Sequence, residues 1–294
     1  MDTMFEEIHK DFKKLQKASM ASAVGTLNAL ALFCVKALNL LGGVQEARQG
    51  AIGGKEYYVF YTKAGQSSKV YSRPVLKKLF IYDAAAFVRL WGEMLKSVNP
   101  QKCVIEHEAI GKLIYTASQA FSCVYDLYKP SSRKTPGTFF EMLMSSLLAI
   151  TTGMPIGKQI HIPGETYKIP TDIVLYATEK QTSSLVIPTK ITTRERIVQP
   201  WAHHRIVEDV FGKGRFKTIL ACVSELQRDG EKGVNEICVP NQVGLFQTYL
   251  AELSGLYYAD PPLSYVNAGF AGLPVRSLGE LFHTDLPGLV GLQT

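Results

Sequence analysis

Two β-type runs on either side of a polar turn constrain this chain most. "IPTDIVLYA" precedes the stretch "TEKQTSS", and "LVIPTKI" comes after it. Apolar, β-branched residues bounded by a short polar segment read as a hairpin. With the turn centred on Gln181, antiparallel pairing sets Asp172 directly opposite Lys190. Directly opposed residues have Cβ atoms about 4.5–5.5 Å apart on one face of a sheet. The neighbouring Ile173, Val174, Leu175, Leu185, Val186 and Ile187 are expected to be buried, and a charge among them is costly unless it is paired or bound to a metal. Pro188 cannot donate to a sheet ladder, so it belongs at an edge or a bulge. A strand that breaks there leaves Lys190 facing an open cleft, and bulges are frequent beside active sites. A plain cross-strand salt bridge satisfies the same pattern, so the pair alone does not decide between structure and chemistry.

The surrounding segments supply the rest of a sheet. "TFFEMLMSSLLAITTG" is a helix with an apolar stripe, and "GKQIHIPGETYKIPTDIVLYA" is two strands around a Pro-Gly turn. "RIVQPWAHHRIVEDVFGKG" is a helix with Pro200 in its first turn and glycines at its end. "RFKTILACVSEL" is apolar throughout, as a central strand requires. "NQVGLFQTYLAELSG" is a further helix. The fold class is therefore α/β, a mixed central sheet flanked by helices. Residues 4–42 and 76–128 read as largely helical, interrupted near "SVNPQK", with "EYYVFYT" as a strand. The loop "KPSSRKTPG" divides the chain. Three parts result: a mainly helical part (1–130) suited to dimerisation and DNA contacts, a core (131–260), and an irregular tail (261–294), the Gly-, Pro- and Tyr-rich character beginning at Tyr257.

Composition narrows the function classes. The chain has 294 residues with 20% charged and 46% hydrophobic, an ordinary globular balance. Net charge is +6, compatible with a nucleic-acid partner without requiring one. Five cysteines, none in a CxxC, argue against a disulfide framework or a structural zinc site and suit a reducing cytoplasm. The N-terminal "MDTMFEEIHKDFKK" is acidic and amphipathic, unlike a signal peptide. The apolar run "ASAVGTLNALALFCVKALNLLGG" carries Asn28, Lys36 and Asn39 and reads as a core helix, with no membrane partner. There is no Gly-rich phosphate loop, no GxSxG and no HExxH. His203 and His204 are adjacent; consecutive helical residues point about 100° apart, so they are poorly placed to share a metal.

"KITTRERIVQPW" places Arg194, Glu195 and Arg196 just after the lysine, at the strand-to-helix transition. Arginines presented there can fork onto guanine O6 and N7, and a glutamate between them can hold a guanidinium or accept from cytosine N4. A solvated charged turn is the plain alternative. With these segments together, the sequence resembles the PD-(D/E)xK restriction endonucleases. "PTD" (170–172) and "PTK" (188–190) occupy the places of the family's aspartate and lysine. Where the second acid of the motif falls, two residues before the lysine, this chain has Pro188. That departure matches the members that cut CCGG or CCNGG, in which a neighbouring helix supplies the missing carboxylate and an Arg-acid-Arg cluster after the lysine reads G·C pairs. "GTFFEML" is similar to the family's early helix, whose acid would be Glu141. "TFFE" also fits a capping box with Thr138 as N-cap, which competes for that glutamate. The acid from the helix after the lysine is unassigned, with Glu195 and Glu208 as candidates.

The resemblance implies a type II site-specific deoxyribonuclease acting on double-stranded DNA with Mg²⁺. Asp172 would be the principal metal ligand, with Glu141 and the Thr189 backbone carbonyl completing the shell, and Lys190 would orient the attacking water and offset phosphate charge. Arg194, Glu195 and Arg196 would contact bases; Arg133 and Lys134 would contact phosphates, with "KGRFK" (213–217) a further basic segment. Cutting both strands of a palindrome implies a homodimer or higher homo-oligomer, with a cognate DNA methyltransferase in the same cell. Two rivals remain open. A structure-specific repair or recombination nuclease would leave heterogeneous fragments, and a DNA-binding regulator would shift DNA without cutting it.

Overall fold

The computed structural model describes residues 3–17, 22–64, 68–99, 102–103, 105–193, 197–231, 233–266 and 272–291. Two helices, α1 (Thr3–Lys17) and α2 (Ala23–Gly42), lead into an antiparallel sheet of β1 (Gln45–Ile52), β2 (Lys55–Ala64), β3 (Ser68–Tyr71) and β4 (Val75–Leu76). Helix α3 (Ala84–Ser97), the small pair β5 (Val98–Asn99) and β6 (Lys102–Cys103), and the long helix α4 (His107–Tyr128) come next. The second half runs α5 (Thr135–Thr152), β7 (Ile156–His161), β8 (Lys168–Leu175), β9 (Ser184–Ile187), β10 (Thr189–Lys190), α6 (Gln199–Phe211) and β11 (Phe216–Cys222). After a hairpin of β12 (Leu226–Asp229) and β13 (Gly233–Glu236), α7 (Pro240–Leu245) continues as a π turn and β14 (Gly255–Tyr258) rejoins the sheet. The chain closes with α8 (Leu263–Val266), β15 (Val275–Ser277), α9 (Leu278–Glu280), a second π turn and α10 (Leu286–Val290).

The central sheet has the order β15-β14-β11-β9-β8-β7, with β10 also pairing β11. Strands β9, β11, β14 and β15 are mutually parallel, and β8 runs against both its neighbours. This is the expected mixed sheet, with "RFKTILAC" at its centre. Alternation along the strands sorts its two faces. Ile173, Leu175, Leu185, Ile187, Ile219 and Ala221 point into the large core shared with α2, α4 and α5. Val174 and Val186 point the other way and pack with Val207 of α6. Leu220, Cys222, Leu256 and Tyr258 continue that second face and pack with Trp201 of α6. Helix α6 therefore lies across the face opposite to α5. Each large apolar side chain buried to this degree contributes about 1.5–3 kcal/mol relative to exposure.

Local chemistry sets the helix ends. Ser22 caps α2 by accepting from the Gly25 N–H at 3.0 Å. The apolar run of α2 is a core helix, as read from sequence: Leu27, Leu30, Cys34, Ala37 and Leu38 are buried, and the helix packs on α4 and α5. Helix α5 carries Pro136 in its first turn and stops at Gly153 in the left-handed region (φ 64°). Its N-cap is Lys134, so Thr138 lies inside the helix, where its hydroxyl donates to the Lys134 carbonyl at 3.2 Å. The capping-box alternative for Glu141 therefore falls.

Three expectations need correction. The hairpin pairs Ile173 with Ile187, Val174 with Val186 and Leu175 with Leu185. It is centred on Lys180, so Asp172 stands opposite Pro188 rather than Lys190. The polar turn residues do not define their own midpoint. Among the described residues the N-terminal part holds a four-stranded sheet and the small pair β5–β6 where one strand was expected. Strand β1 is polar, with Gln49 buried and donating to the Gly233 carbonyl at 2.6 Å, so it has no apolar alternation to reveal it. The Gly53-Gly54 turn, both φ positive, was the available hairpin signal. Finally, the described residues from Tyr257 onward form short, hydrogen-bonded elements. Tyr257 donates to Asp285 at 2.8 Å, and Ser277 and Glu280 form a reciprocal capping box. Its elements are too short for periodicity to show.

Candidate active site

Pro188 separates β9 from β10, which leaves β8 and continues along β11 in the register that β9 keeps with it. The Pro188 carbonyl accepts from Ala221 N, and the Lys190 carbonyl from Val223 N, both at 3.0 Å. A residue's N–H and C=O point to the same side of a strand. Thr189 therefore faces away from β11, and its N–H donates to Asp172 Oδ2 at 2.7 Å. Its carbonyl shares that side. Lys190 pairs with Cys222 in register, which puts its side chain on the α6 face, and its Nζ donates to the same Asp172 Oδ2 at 3.1 Å. The acid and the amine thus meet although they are not opposed in the ladder. Both are partly open to solvent, with side-chain exposures of 31% for Asp172 and 18% for Lys190.

Asp172 sits in a distortion of β8. Gly157 pairs with Val174 but Gln159 pairs with Pro170, so the residues around Asp172 bulge against Lys158. The hydroxyl of the preceding Thr171 is buried and has no hydrogen-bond partner among the described residues. Glu141 approaches this bulge from α5, where it forms an ion pair with Lys158. Among the described residues no three His, Cys, Asp or Glu side chains converge as a ready metal cluster. The donors at the strand break are the Asp172 carboxylate and the Thr189 backbone carbonyl. That set suits a hard, largely hydrated divalent ion such as Mg²⁺, which is held through one or two carboxylates plus substrate phosphate.

Helix α6 adds a side chain that the sequence left unassigned. Val207 packs over Val174 and Val186. The helix runs back against the parallel strands, so His203, one turn earlier, lies towards Asp172 and Lys190. It is half-buried, and it interacts electrostatically with both. Burial, then the Lys190 ammonium, hold its imidazole below the ordinary histidine value, with Asp172 pulling the other way. His204 turns instead onto the sheet, buried with its Nδ1 3.0 Å from Thr218 Oγ1. Its other nitrogen is 3.7 Å from Glu208. Glu208 borders a cleft with Phe216 and Lys217, at the start of β11, whereas Lys190 pairs near that strand's end. The structure does not bring Glu208 to the Asp172–Lys190 pair. The helical phase of Trp201, His204 and Val207 was the signal that could have separated the two histidines.

Arg133 and Lys134 are exposed in the turn before α5. Arg194, Glu195 and Arg196 lie outside the described residues. A cleft of about 760 Å³ between the β1–β2 turn, α4 and the end of β14 contains Lys55 and Asp260 but neither Asp172 nor Lys190.

The mixed sheet and the broken strand bring an acid and a lysine together, and a solved relative fixes the family. The chain belongs to the type II restriction endonucleases, site-specific deoxyribonucleases. That relative is the type IIP restriction endonuclease Kpn2I, whose crystal structure superposes with a TM-score of 0.82 at 34% sequence identity, covering 99% of this chain and 98% of that one. The restriction endonuclease PspGI–substrate DNA complex also matches, with a TM-score of 0.42 and 13% identity over 71% of this chain and 91% of that one, too distant to carry an argument. No family model and no curated protein matches the chain.

Proposed function

We propose that this endonuclease cuts double-stranded DNA at a G·C-rich palindrome in a Mg²⁺-dependent reaction, with Asp172 and Lys190 at its centre. The observation that carries this reading is the shared use of Asp172 Oδ2 by the Thr189 N–H and the Lys190 ammonium at a strand break. Asp172 and the Thr189 carbonyl would hold the ion, with Glu141 reaching it through water once released from Lys158. A bound Mg²⁺ lowers the pKa of its water and offsets charge on the scissile phosphate. Lys190, beside the carboxylate, would orient the attacking water and stabilise the charge that develops on phosphorus-bound oxygen. His203 is a neutral imidazole over the same pair, able to accept a hydrogen bond from that water.

Arg194, Glu195 and Arg196 are assigned to base edges, and Arg133 and Lys134 to phosphates. Residues 131–260 carry the catalysis, with residues 1–130 taking dimerisation and DNA contacts. A palindromic site calls for a homodimer or higher homo-oligomer. The setting is the cytoplasm, beside a cognate methyltransferase that protects the host's own sites. Digesting phage DNA with Mg²⁺ and sequencing the ends tests the proposal. Discrete fragments with one shared terminal sequence, abolished by EDTA, are expected. Heterogeneous ends would favour recognition of DNA structure instead.

A further inference from the structure

The cleft of about 760 Å³ between the β1–β2 turn, α4 and the end of β14 takes no part in the chemistry assigned to Asp172 and Lys190. It nevertheless lies at the same end of the sheet. Lys190 pairs with Cys222, Cys222 with Tyr258 and Tyr258 with Ser277, so these residues form one row across β10, β11, β14 and β15. The cleft wall begins at that row, with Ser277 itself and with Ala259 and Asp260 just past Tyr258. Adjacent strands are about 4.8 Å apart, which sets the cleft about 10–14 Å from Lys190 along the row. A DNA strand advances about 3.4 Å along the axis per nucleotide, so that span corresponds to about three or four nucleotides.

Charge in the cleft is unbalanced. Most of its carboxylates are committed: Asp260 holds Lys55 at 2.7 Å, Glu56 pairs with Arg48 at 3.4 Å and Glu280 with Arg276 at 3.1 Å. Lys77, Lys78 and Lys112 also line the cleft, and none of them forms an ion pair among the described residues. Of the lining carboxylates only the exposed Glu108 is left to oppose them. Lys77 lies over the Tyr58 ring, 4.8 Å from its centroid, which orients the ammonium without neutralising it. A concave surface lined with one sign of charge focuses the field and draws in counter-charge. The walls are also fixed in advance. Gly279 meets α4 so closely that a Cβ there would lie 1.9 Å from the His107 carbonyl oxygen. Asp260, 2% exposed, ties Lys55 and the Tyr57 hydroxyl together beneath the opening. Such a cleft binds an anion without the cost of assembling the site.

We infer that this cleft holds the sugar–phosphate backbone of the substrate duplex about three or four nucleotides from the cut, with Lys77, Lys78 and Lys112 as the phosphate contacts. The distance from the cut rests on reading Asp172 and Lys190 as the cutting point; the contact itself rests on the cleft. Backbone contacts position a duplex and carry no sequence information, so this one acts on every sequence alike.

The test is the salt dependence of binding in Ca²⁺, measured by gel shift on a cognate and on a random duplex. Each phosphate neutralised contributes about 0.9 to the slope of log affinity against log salt. Lys77→Gln, Lys78→Gln and Lys112→Gln should each lower the slope by about one on both duplexes and weaken binding about fivefold at about 0.15 M salt. Lys180→Gln removes a cation from the exposed hairpin turn, at the opposite end of β9 from Lys190, and should leave the slope unchanged. Cleft variants whose slopes match Lys180→Gln, or whose losses are confined to the cognate duplex, overturn the inference. So does a rise in melting temperature with pyrophosphate alone that the cleft substitutions abolish while the DNA slope stays the same, because the cleft then serves a free phosphate compound. Uncharged methylphosphonate links about three to five nucleotides to either side of the cut locate the contact: on that duplex Lys112→Gln and the unmodified enzyme should bind alike. If neutral links elsewhere erase the difference instead, the phosphate contact stands and the reading of the cutting point is what fails.

Discussion

Replacing Asp172 by Ala separates the two things this carboxylate does. In the free enzyme it accepts the Thr189 N–H at 2.7 Å and the Lys190 ammonium at 3.1 Å. Exposed ion pairs contribute about 0–1 kcal/mol, and breaking a fully buried pair costs about 3–5 kcal/mol. With 31% and 18% of the two side chains exposed, this pair lies between those limits. Loss of the charge-assisted bond and the orphaned N–H together give a cost of about 2 kcal/mol. For a chain of this size that lowers the melting temperature by about 3 °C. Asp172→Asn keeps an acceptor for Thr189 and should recover about half of the loss. Activity should respond on a different scale. On the proposed assignment the carboxylate holds a divalent ion beside the phosphate, so cleavage should fall by at least about 10³, roughly 4 kcal/mol of transition-state stabilisation. Both substitutions should lose activity alike, while sequence-specific binding in Ca²⁺ persists. Thermal unfolding, gel-shift titration and single-turnover cleavage measure the three quantities. An Asp172→Ala enzyme that folds, binds and still cuts within tenfold of the unmodified rate would refute the assignment.

Three other expectations follow, one from the sequence and two from the structure. Arg194→Ala and Arg196→Ala should each cost about 1–3 kcal/mol of base discrimination, read from competition between cognate and random duplexes; equal losses on both would make them phosphate contacts. Asp260 is 2% exposed and holds Lys55 at 2.7 Å and the Tyr57 hydroxyl at 3.1 Å, tying the N-terminal sheet to the end of β14. Asp260→Ala should therefore destabilise the fold by about 3–5 kcal/mol in urea unfolding, and an unchanged midpoint would show that the tie is dispensable. Burial holds His204 below its ordinary value of 6.5, with the nearby Glu208 opposing. The unfolded chain then takes up its proton first, so this contribution to stability is full above pH 6.5 and is lost as the pH falls towards the folded value. Glu225 and Asp260, whose carboxyls are raised by burial, contribute with the opposite sign, so the informative quantity is the difference between the unmodified protein and His204→Gln. That difference should shrink between pH 7.5 and 5.5.

How much was legible in the sequence varies from residue to residue. The hairpin, its acid and its lysine could be read because β-branched runs, a polar turn and Pro188 are local signals. The central placement of β11 could be read because a strand buried on both faces is apolar throughout. Helix α6 could be delimited because proline and glycine mark its ends. Strand β1 could not, because its one buried residue, Gln49, is polar and takes its partner from Gly233, far along the chain. Glu141 was read as a metal ligand or a cap; in the free protein it holds Lys158, a pairing that depends on the position of a bulge in β8.

The sequence by itself therefore determined the class of fold and the acid and lysine carried by the hairpin, since propensity and periodicity act over a few residues. Tertiary structure alone decided how those groups meet. The register slipped by two positions, and it was the break at Pro188, beyond which β10 leaves β8 but continues along β11, and not direct opposition, that brought Lys190 onto Asp172. It also decided which of two adjacent histidines faces the site. The physical reason is the same in each case: strand register and helix orientation are fixed by packing between segments distant in the chain, and no local pattern encodes that packing.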